Sequence, residues 1–243
     1  MESTRALNRL RFAKGAYSLA RPGCWRALAN GVAPSIEHRE ALRGLDFDLL
    51  LDAGANRGQF TLMARLLRRD LRVHAYEPLP GEAAVFQSVH GGRKGIELHE
   101  MALGDRAGTA DLHVSASADS SSLLPIGEAQ ATLFPNTGQV GLQRVPVSRL
   151  DDLRGHWQGA SRALLKLDVQ GFELNVLRGA TAALKNCAYV YAECSEVALY
   201  SGQALRSDVE DFLGRQGFAG TGRFNPFFAG GILVQADYLY ERA

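Results

Sequence analysis

From Asp48 onward, short apolar runs alternate with helix-length stretches, and few folds other than a sheet with helices on its faces can absorb that order. Strands are expected at Leu49–Asp52, Arg72–Glu77, Glu97–Leu103, Leu164–Val169, Tyr189–Glu193, Phe218–Thr221 and Ile232–Gln235. Helices are expected at Gly58–Arg69, Gly81–Val89, Phe172–Leu184 and Ser207–Gln216. Consecutive parallel strands require right-handed crossovers, so the expected fold is α/β: a doubly wound, mostly parallel seven-stranded sheet with helices on both faces. The alternation breaks between Gly108 and Leu150. There the alternating Ala110, Leu112 and Val114, the serine run Ser120–Ser122 and the stretch Pro125–Gly141 read as an antiparallel insertion plus a loop able to close over a site.

Residues 1–47 read as a helical extension ahead of a domain at 48–243. Ala6, Leu10, Ala13, Tyr17 and Ala20 recur at helical spacing among Arg9, Arg11, Lys14 and Ser18, and Arg21-Pro22-Gly23 ends the pattern. That stripe is expected to pack on the main domain or on a second copy in a homodimer. The alternative is a weak contact of its cationic face with an anionic membrane surface. Shorter helices are expected at Cys24–Asn30 and Ser35–Arg43.

The charge balance, 27 Lys and Arg against 26 Asp and Glu, argues against a nucleic-acid partner. Cys24, Cys187 and Cys194 form no C-x-x-C pair, which speaks against a disulfide framework or a thiolate zinc site and for a reducing compartment. There is no signal-peptide core and no run of roughly 20 apolar residues, so the expected location is cytoplasmic, at most peripheral to the inner membrane surface.

In an open parallel sheet, ligands bind beyond the carboxyl ends of the strands, which puts Asp52–Phe60 at the crevice. Gly54 lets the chain turn and a ligand approach bare backbone, and Gly58 is expected to let the next helix pack tightly on the sheet. A dinucleotide fingerprint would carry a glycine where Asn56 stands, and the Asp52 carboxylate would repel a pyrophosphate, so a nicotinamide enzyme is disfavoured. The second strand ends at Glu77, where a carboxylate can accept both hydroxyls of a ribose, and Met101–Leu103 offer an apolar wall for an adenine. Together these describe a pocket for an adenosine bearing an amino acid, S-adenosylmethionine (SAM).

The segments LLLDAGANRGQFT, VHAYEP, MALGD with the serine run, VPVSRLDDL and, most specifically, LLKLDVQGFELNVLRGA followed by AYVYAEC resemble, in order and spacing, the FkbM family of SAM-dependent methyltransferases. The resemblance spans about Asp48 to Glu196. It implies a class I methyltransferase (Rossmann-like) fold and O-methylation of a hydroxyl on a sugar, a glycan such as a cell-surface polysaccharide, or a secondary metabolite. The SAM contacts it implies are Asp52, Gly54, Ala55, Asn56, Gly58, Gln59 and Phe60, then Glu77 and Pro78, then Ala102 and Leu103, with Ser121 and Ser122 closing on the methionine end. Many relatives read D-V-E-G where this chain has Gln170, so the carboxylate of that position is missing here. A non-catalytic SAM-binding module on the same fold is the other alternative.

An alcohol is a poor nucleophile, so a general base is expected beside the methyl group, contributing about 10² to 10⁴ in rate. Alternation along the fourth strand puts Lys166 and Asp168 on one face at its carboxyl end, with Glu193 ending the next strand. Asp168 is the first candidate for the base and Glu193 the second. Lys166 would hold Asp168 ionised or stabilise an alkoxide, unless the pair is only a structural ion pair. Asp168 and Glu193 could supply two oxygen ligands to Mg²⁺, but no third is evident and metal independence is favoured. His74, His99, His113 and His156 are scattered without metal-ligand spacing, and Arg223–Phe228 is expected as an aromatic lip before the last strand.

Overall fold

The computed structural model describes residues 2–243, with side chains from Arg9 onward. Its strands are β1 (Leu49–Ala53), β2 (Arg72–Tyr76), β3 (Ile96–His99), β4 (Ala102–Leu103), β5 (Gly108–Ser115), β6 (Gln139–Ser148), β7 (Ala163–Leu167), β8 (Cys187–Ser195), β9 (Phe218–Ala229) and β10 (Ile232–Arg242). Its α-helices are α1 (Glu2–Leu19), α2 (Trp25–Ala29), α3 (Arg39–Arg43), α4 (Gln59–Leu67), α5 (Pro80–His90), α6 (Glu128–Leu133), α7 (Arg154–Trp157), α8 (Glu173–Arg178) and α9 (Arg206–Arg215). The main sheet has seven strands in the order β3-β2-β1-β7-β8-β10-β9, and only β10 runs antiparallel to its neighbours. The chain winds outward from β1 to β3 and then returns to β1's other side as β7, so a crevice opens beyond the ends of these two strands. β1 and β7 are buried along their whole length because an apolar layer covers each face of the sheet.

Several boundaries differ from the sequence reading. The expected strand at 97–103 divides: β3 ends at His99, and Ala102–Leu103 leave to join β6 and β5 in a separate three-stranded sheet. The cause lies in β2, where the Glu77 amide makes the last bond, to the His99 carbonyl, and Pro78 has no N–H with which to continue. The expected helix 172–184 stops at Arg178. A Cβ on Gly179 would lie 1.9 Å from the Gly104 carbonyl oxygen, and Asp151 captures the amides of Ala182 and Ala183 at 2.8 and 3.0 Å, starting a new turn. β9 and β10 are longer than expected, and Arg223–Phe228 lies within β9 rather than in a loop before the last strand.

The insertion is antiparallel, β5 against β6, and its loop holds α6, whose Leu133 packs with Tyr200, Val234 and Phe227 at the far end of the main sheet. Ahead of β1, Ala41, Leu42, Leu45 and Phe47 enter the same core layer as Leu50 and Leu164. In α1 the expected stripe faces inward only in part: Leu10 and Tyr17 are half-buried, and Tyr17 packs against the core layer of Leu50 and Phe60. Ala13 and Ala20 are exposed, as are Phe12 (81%) and Leu19 (70%), while Ser18 is fully buried. A polar contact adds to this packing, Lys14 pairing with Glu37 at 2.7 Å, while the buried Ser18 hydroxyl is satisfied within the helix by the Lys14 carbonyl. The side chains of Arg5 and Ala6 lie outside the described residues. Among the described residues no helix is long and apolar enough to cross a membrane.

Candidate active site

The turn after β1 is built around two close backbone approaches. Gly54 has φ +73°, and a Cβ there would lie 1.8 Å from the Asp168 carbonyl oxygen, so only glycine lets the ends of β1 and β7 touch. Gly58 has φ +85°, and its Cβ would meet the His90 ring at 2.4 Å. Its close neighbour is therefore α5, not the sheet that the sequence reading assumed. The amides of Gly54 and Ala55 donate to the Tyr76 carbonyl, tying the loop to β2.

Glu77, 5% exposed, closes this corner: its Oε2 accepts the Asn56 amide at 2.8 Å and its Oε1 the Leu79 amide at 2.9 Å. Burial pushes its carboxyl up to about 7 against these two hydrogen bonds. Each oxygen retains a second lone pair, so the group can still take two further donors such as ribose hydroxyls. A partly open pocket adjoins this corner. Glu77, Asn56, Gly54 and Asp168 line its polar side, and Leu79, Ala102, Leu103, Leu112, Leu123 and Phe172 its apolar side. Pro78, Ser121 and Ser122 also line it. A carboxylate for a ribose, an apolar sleeve for an adenine and anionic groups for a cationic amino acid fit SAM.

The remaining residues expected to contact SAM stand behind this wall. Asp52 is fully buried, accepting from the Thr61 hydroxyl at 2.7 Å and facing Lys166 Nζ at 3.2 Å. Ala55 is buried, Phe60 packs against His38 and Tyr191, and the Gln59 amide reaches Asn56 Oδ1 at 3.3 Å. These four and Gly58 shape the loop rather than line the pocket.

At the end of β7 the three expected catalytic residues are linked, though not directly to one another throughout. Lys166 donates to the Gly54 carbonyl at 2.8 Å and lies 3.7 Å from Asp168 Oδ2. Burial alone would lower its ammonium, but Asp52 and Asp168 outweigh this and hold it above its ordinary value. Between Asp168 and Glu193 stands Gln170, whose Nε2 donates to Asp168 Oδ1 at 2.8 Å and to Glu193 Oε2 at 2.9 Å. Gln170 adopts φ 54°, and the turn it opens is pinned by Glu173, whose Oε1 accepts the amides of Val169 and Gly171. The Tyr200 hydroxyl lies 2.8 Å from Gln170 Oε1 and 3.0 Å from the Ser120 carbonyl, and the Ser122 hydroxyl donates to the Gln170 carbonyl at 2.7 Å. Burial, then the charges of Asp168, Asp237 and Glu173, push Glu193 well above the usual carboxylate range. Asp168 is the more exposed of the two carboxyl groups and lines the pocket.

The sequence reading missed the structural role of Gln170 and all of Tyr200, His38 and Asp237. His38 comes from the segment before β1, where no chemistry was legible, yet its Nδ1 lies 3.0 Å from the Tyr191 hydroxyl and 3.3 Å from Asp237 Oδ2. Asp237 stands opposite Glu193 in the β8–β10 register. His113 pairs with Gln139 at 2.8 Å in the insertion and does not line the pocket.

The sheet order with its single reversed strand and a SAM-suited pocket at the switch point define a class I SAM-dependent methyltransferase. The model of the methyltransferase FkbM domain matches residues 52–219, most of the chain, and the chain belongs to that family. It is similar to the 2-O-methyltransferase NoeI of Sinorhizobium fredii (strain NBRC 101917 / NGR234), 29% identical over 181 residues that cover 68% of this chain and 70% of that protein. It is also similar to the 31-O-demethyl-FK506 methyltransferase FkbM of Streptomyces tacrolimicus, 28% identical over 207 residues that cover 75% of this chain and 77% of that one. The chain is accordingly a SAM-dependent O-methyltransferase.

Proposed function

We propose that the acceptor is a hydroxyl of a sugar, free or within a glycan, and that Asp168 takes its proton. The observation that carries this reading is the Asp168–Gln170–Glu193 bridge at the mouth of the SAM-suited pocket. It sets two carboxyl groups and an amide side by side, with Gln235 Nε2 adding a further donor 3.1 Å from Glu193 Oε1. The carboxyl oxygens of that row keep spare lone pairs, which suits a ligand that brings several hydroxyl donors. When bound, SAM supplies the electrophilic methyl carbon and leaves as S-adenosylhomocysteine (SAH). Asp168 orients and deprotonates the hydroxyl, Lys166 keeps that carboxyl in place, and Glu193 anchors the Gln170 amide that holds Asp168. The relative named for a 2-O-methylation favours a sugar. The relative acting on 31-O-demethyl-FK506 supports the second reading, a secondary-metabolite hydroxyl.

Metal-independent proton removal is part of the proposal. Gln170, an amide, occupies the space between the two carboxyl groups that a bridging Mg²⁺ would use. Exposed Phe12, Leu19 and Trp25, near Arg9 and Arg11, are proposed as the face that meets an anionic membrane surface. The deciding experiment is methyl transfer from labelled SAM to a panel of monosaccharides, oligosaccharides and polyketide alcohols. Turnover on sugars alone supports the first reading, on polyketides alone the second, and none with any hydroxyl acceptor would refute both.

A further inference from the structure

At the β3 edge of the main sheet, the fold assembles three histidines that the pocket does not use. His74 pairs with Glu97, and Tyr76 with His99, in the parallel β2–β3 register, so His74 and His99 lie on one face of adjoining strands. α7 crosses that face and lays His156 over both, with ring centroids 4.5 Å from His74 and 4.2 Å from His99. His74 Nδ1 and His99 Nε2 are 3.0 Å apart, and one ring nitrogen from each of the three lies within 4.8 Å of the other two. These residues are separated in sequence by 25 and 57 positions, counted from 74 to 99 and from 99 to 156, so no local motif announces the cluster.

The geometry points to a binding site for a divalent transition-metal ion of the zinc type, held by His74, His99 and His156. Tetrahedral zinc with Zn–N bonds of about 2.0–2.1 Å places its ligand nitrogens about 3.3 Å from one another. The His74–His99 pair already stands near that spacing. The rings are close to parallel, with interplanar angles of 5° to 21°, so His156 must tilt to aim its lone pair at a shared ion. It has room to do so, being half-buried on a helix of four residues. The Tyr76 hydroxyl lies 2.9 Å from His156 Nδ1, which leaves Nε2 as the free ligand atom and gives the ring the orienting partner that metal-bound imidazoles usually have. As the ion enters, the ring proton shared between His74 and His99 moves to the other nitrogen of its own ring, and both remain neutral. Glu97, with a carboxylate oxygen 3.8 Å from His74 Nδ1, supplies negative charge at the solvent side. β3 is an edge strand, all three histidines are half-buried rather than sealed, and Glu97 beside them is exposed, so an ion can reach the cluster from solvent. Imidazole donors select zinc, nickel or copper over magnesium or calcium, so this site differs in kind from a Mg²⁺ at the reaction centre.

The test uses the full chain, stripped with a chelator and dialysed free of metal. It is titrated with Zn²⁺ against a chromophoric competitor and, separately, with Co²⁺ while visible absorption is recorded. The expected result is one equivalent bound, a cobalt spectrum without thiolate charge-transfer bands, and a raised unfolding midpoint. His156→Ala and His99→Asn should each weaken binding about tenfold or more, and His113→Ala should not change it. SAH binding by every variant establishes that it is folded, and if one cluster variant loses it, the other decides. No stoichiometric binding by the unaltered chain, a thiolate spectrum from the cysteines, or full affinity in a folded cluster variant would each overturn the assignment.

Discussion

Because burial pushes the Glu77 carboxyl up to about 7, the group we propose for ribose binding titrates within the range of an ordinary buffer series. If only the ionised carboxylate accepts both ribose hydroxyls, the binding-competent fraction is roughly one tenth at about pH 6 and nine tenths at about pH 8. The dissociation constant for SAH should then rise about tenfold from pH 8 to pH 6, equivalent to about 1.4 kcal/mol. The stability of the ligand-free protein should run the other way. A carboxyl whose folded pKa is raised from 4.5 to about 7 contributes stability that is fully present below about 4.5 and is lost as pH rises through about 7. For this buried group the loss approaches about 3 kcal/mol. Glu173, also pushed up to about 7 by burial, adds to the stability slope, but it does not line the pocket. Calorimetric titration with SAH at three pH values, beside urea unfolding at the same values, reads both slopes. Glu77→Gln should flatten the affinity profile and, by leaving the Asn56 or Leu79 amide without its acceptor, cost about 1–3 kcal/mol of stability. An affinity independent of pH in the unaltered protein, or a slope that survives in Glu77→Gln, would refute the reasoning.

Asp168→Asn should lower kcat by about 10² to 10⁴, a far larger factor than any accompanying change in SAH affinity, measured by single-turnover transfer and calorimetry. Gly54→Ala should destabilise the protein by at least about 2 kcal/mol more than Gly159→Ala in urea unfolding; both glycines have positive φ, but only at Gly54 would the Cβ strike backbone, at 1.8 Å. After chelation, turnover should be the same with and without added Mg²⁺, and a requirement for Mg²⁺ would overturn the proposed proton route. Sedimentation with anionic vesicles should weaken when Phe12 and Leu19 are both changed to Ser, whereas unchanged binding, or none at the outset, would remove α1 as a membrane contact.

The features legible in the sequence were those encoded locally. The end of β1, the Glu77-Pro78 stop of β2 and the Lys166–Asp168 pairing on β7 follow from periodicity and turn chemistry within a few residues. So does the antiparallel run at Ala110, Leu112 and Val114, which became β5. Long-range partners were not legible. Gln170 meets Glu193 and Tyr200 across 23 and 30 positions, and His38 meets Asp237 only because β10 inserts beside β8. Composition gave no warning that α1 would bury Ser18 and leave Phe12 outside, since the Lys14–Glu37 pair and the packing of Tyr17, both distant in sequence from their partners, fix its rotation. The split at Glu100 and Met101 was hidden for a related reason: the apolar Ala102 and Leu103 suit either sheet, and pairing with Val147 and Ser148 decides between them.

Tyr200 and Ser122 grip Gln170 from two directions, and Tyr200 also holds the Ser120 carbonyl in the loop that flanks the pocket. Any outward excursion of that loop large enough to exchange a cofactor would strain the same hydrogen bonds that keep the amide between its two carboxyl groups. On the proposed proton route, displacing that loop and disturbing the amide that holds Asp168 are therefore one event.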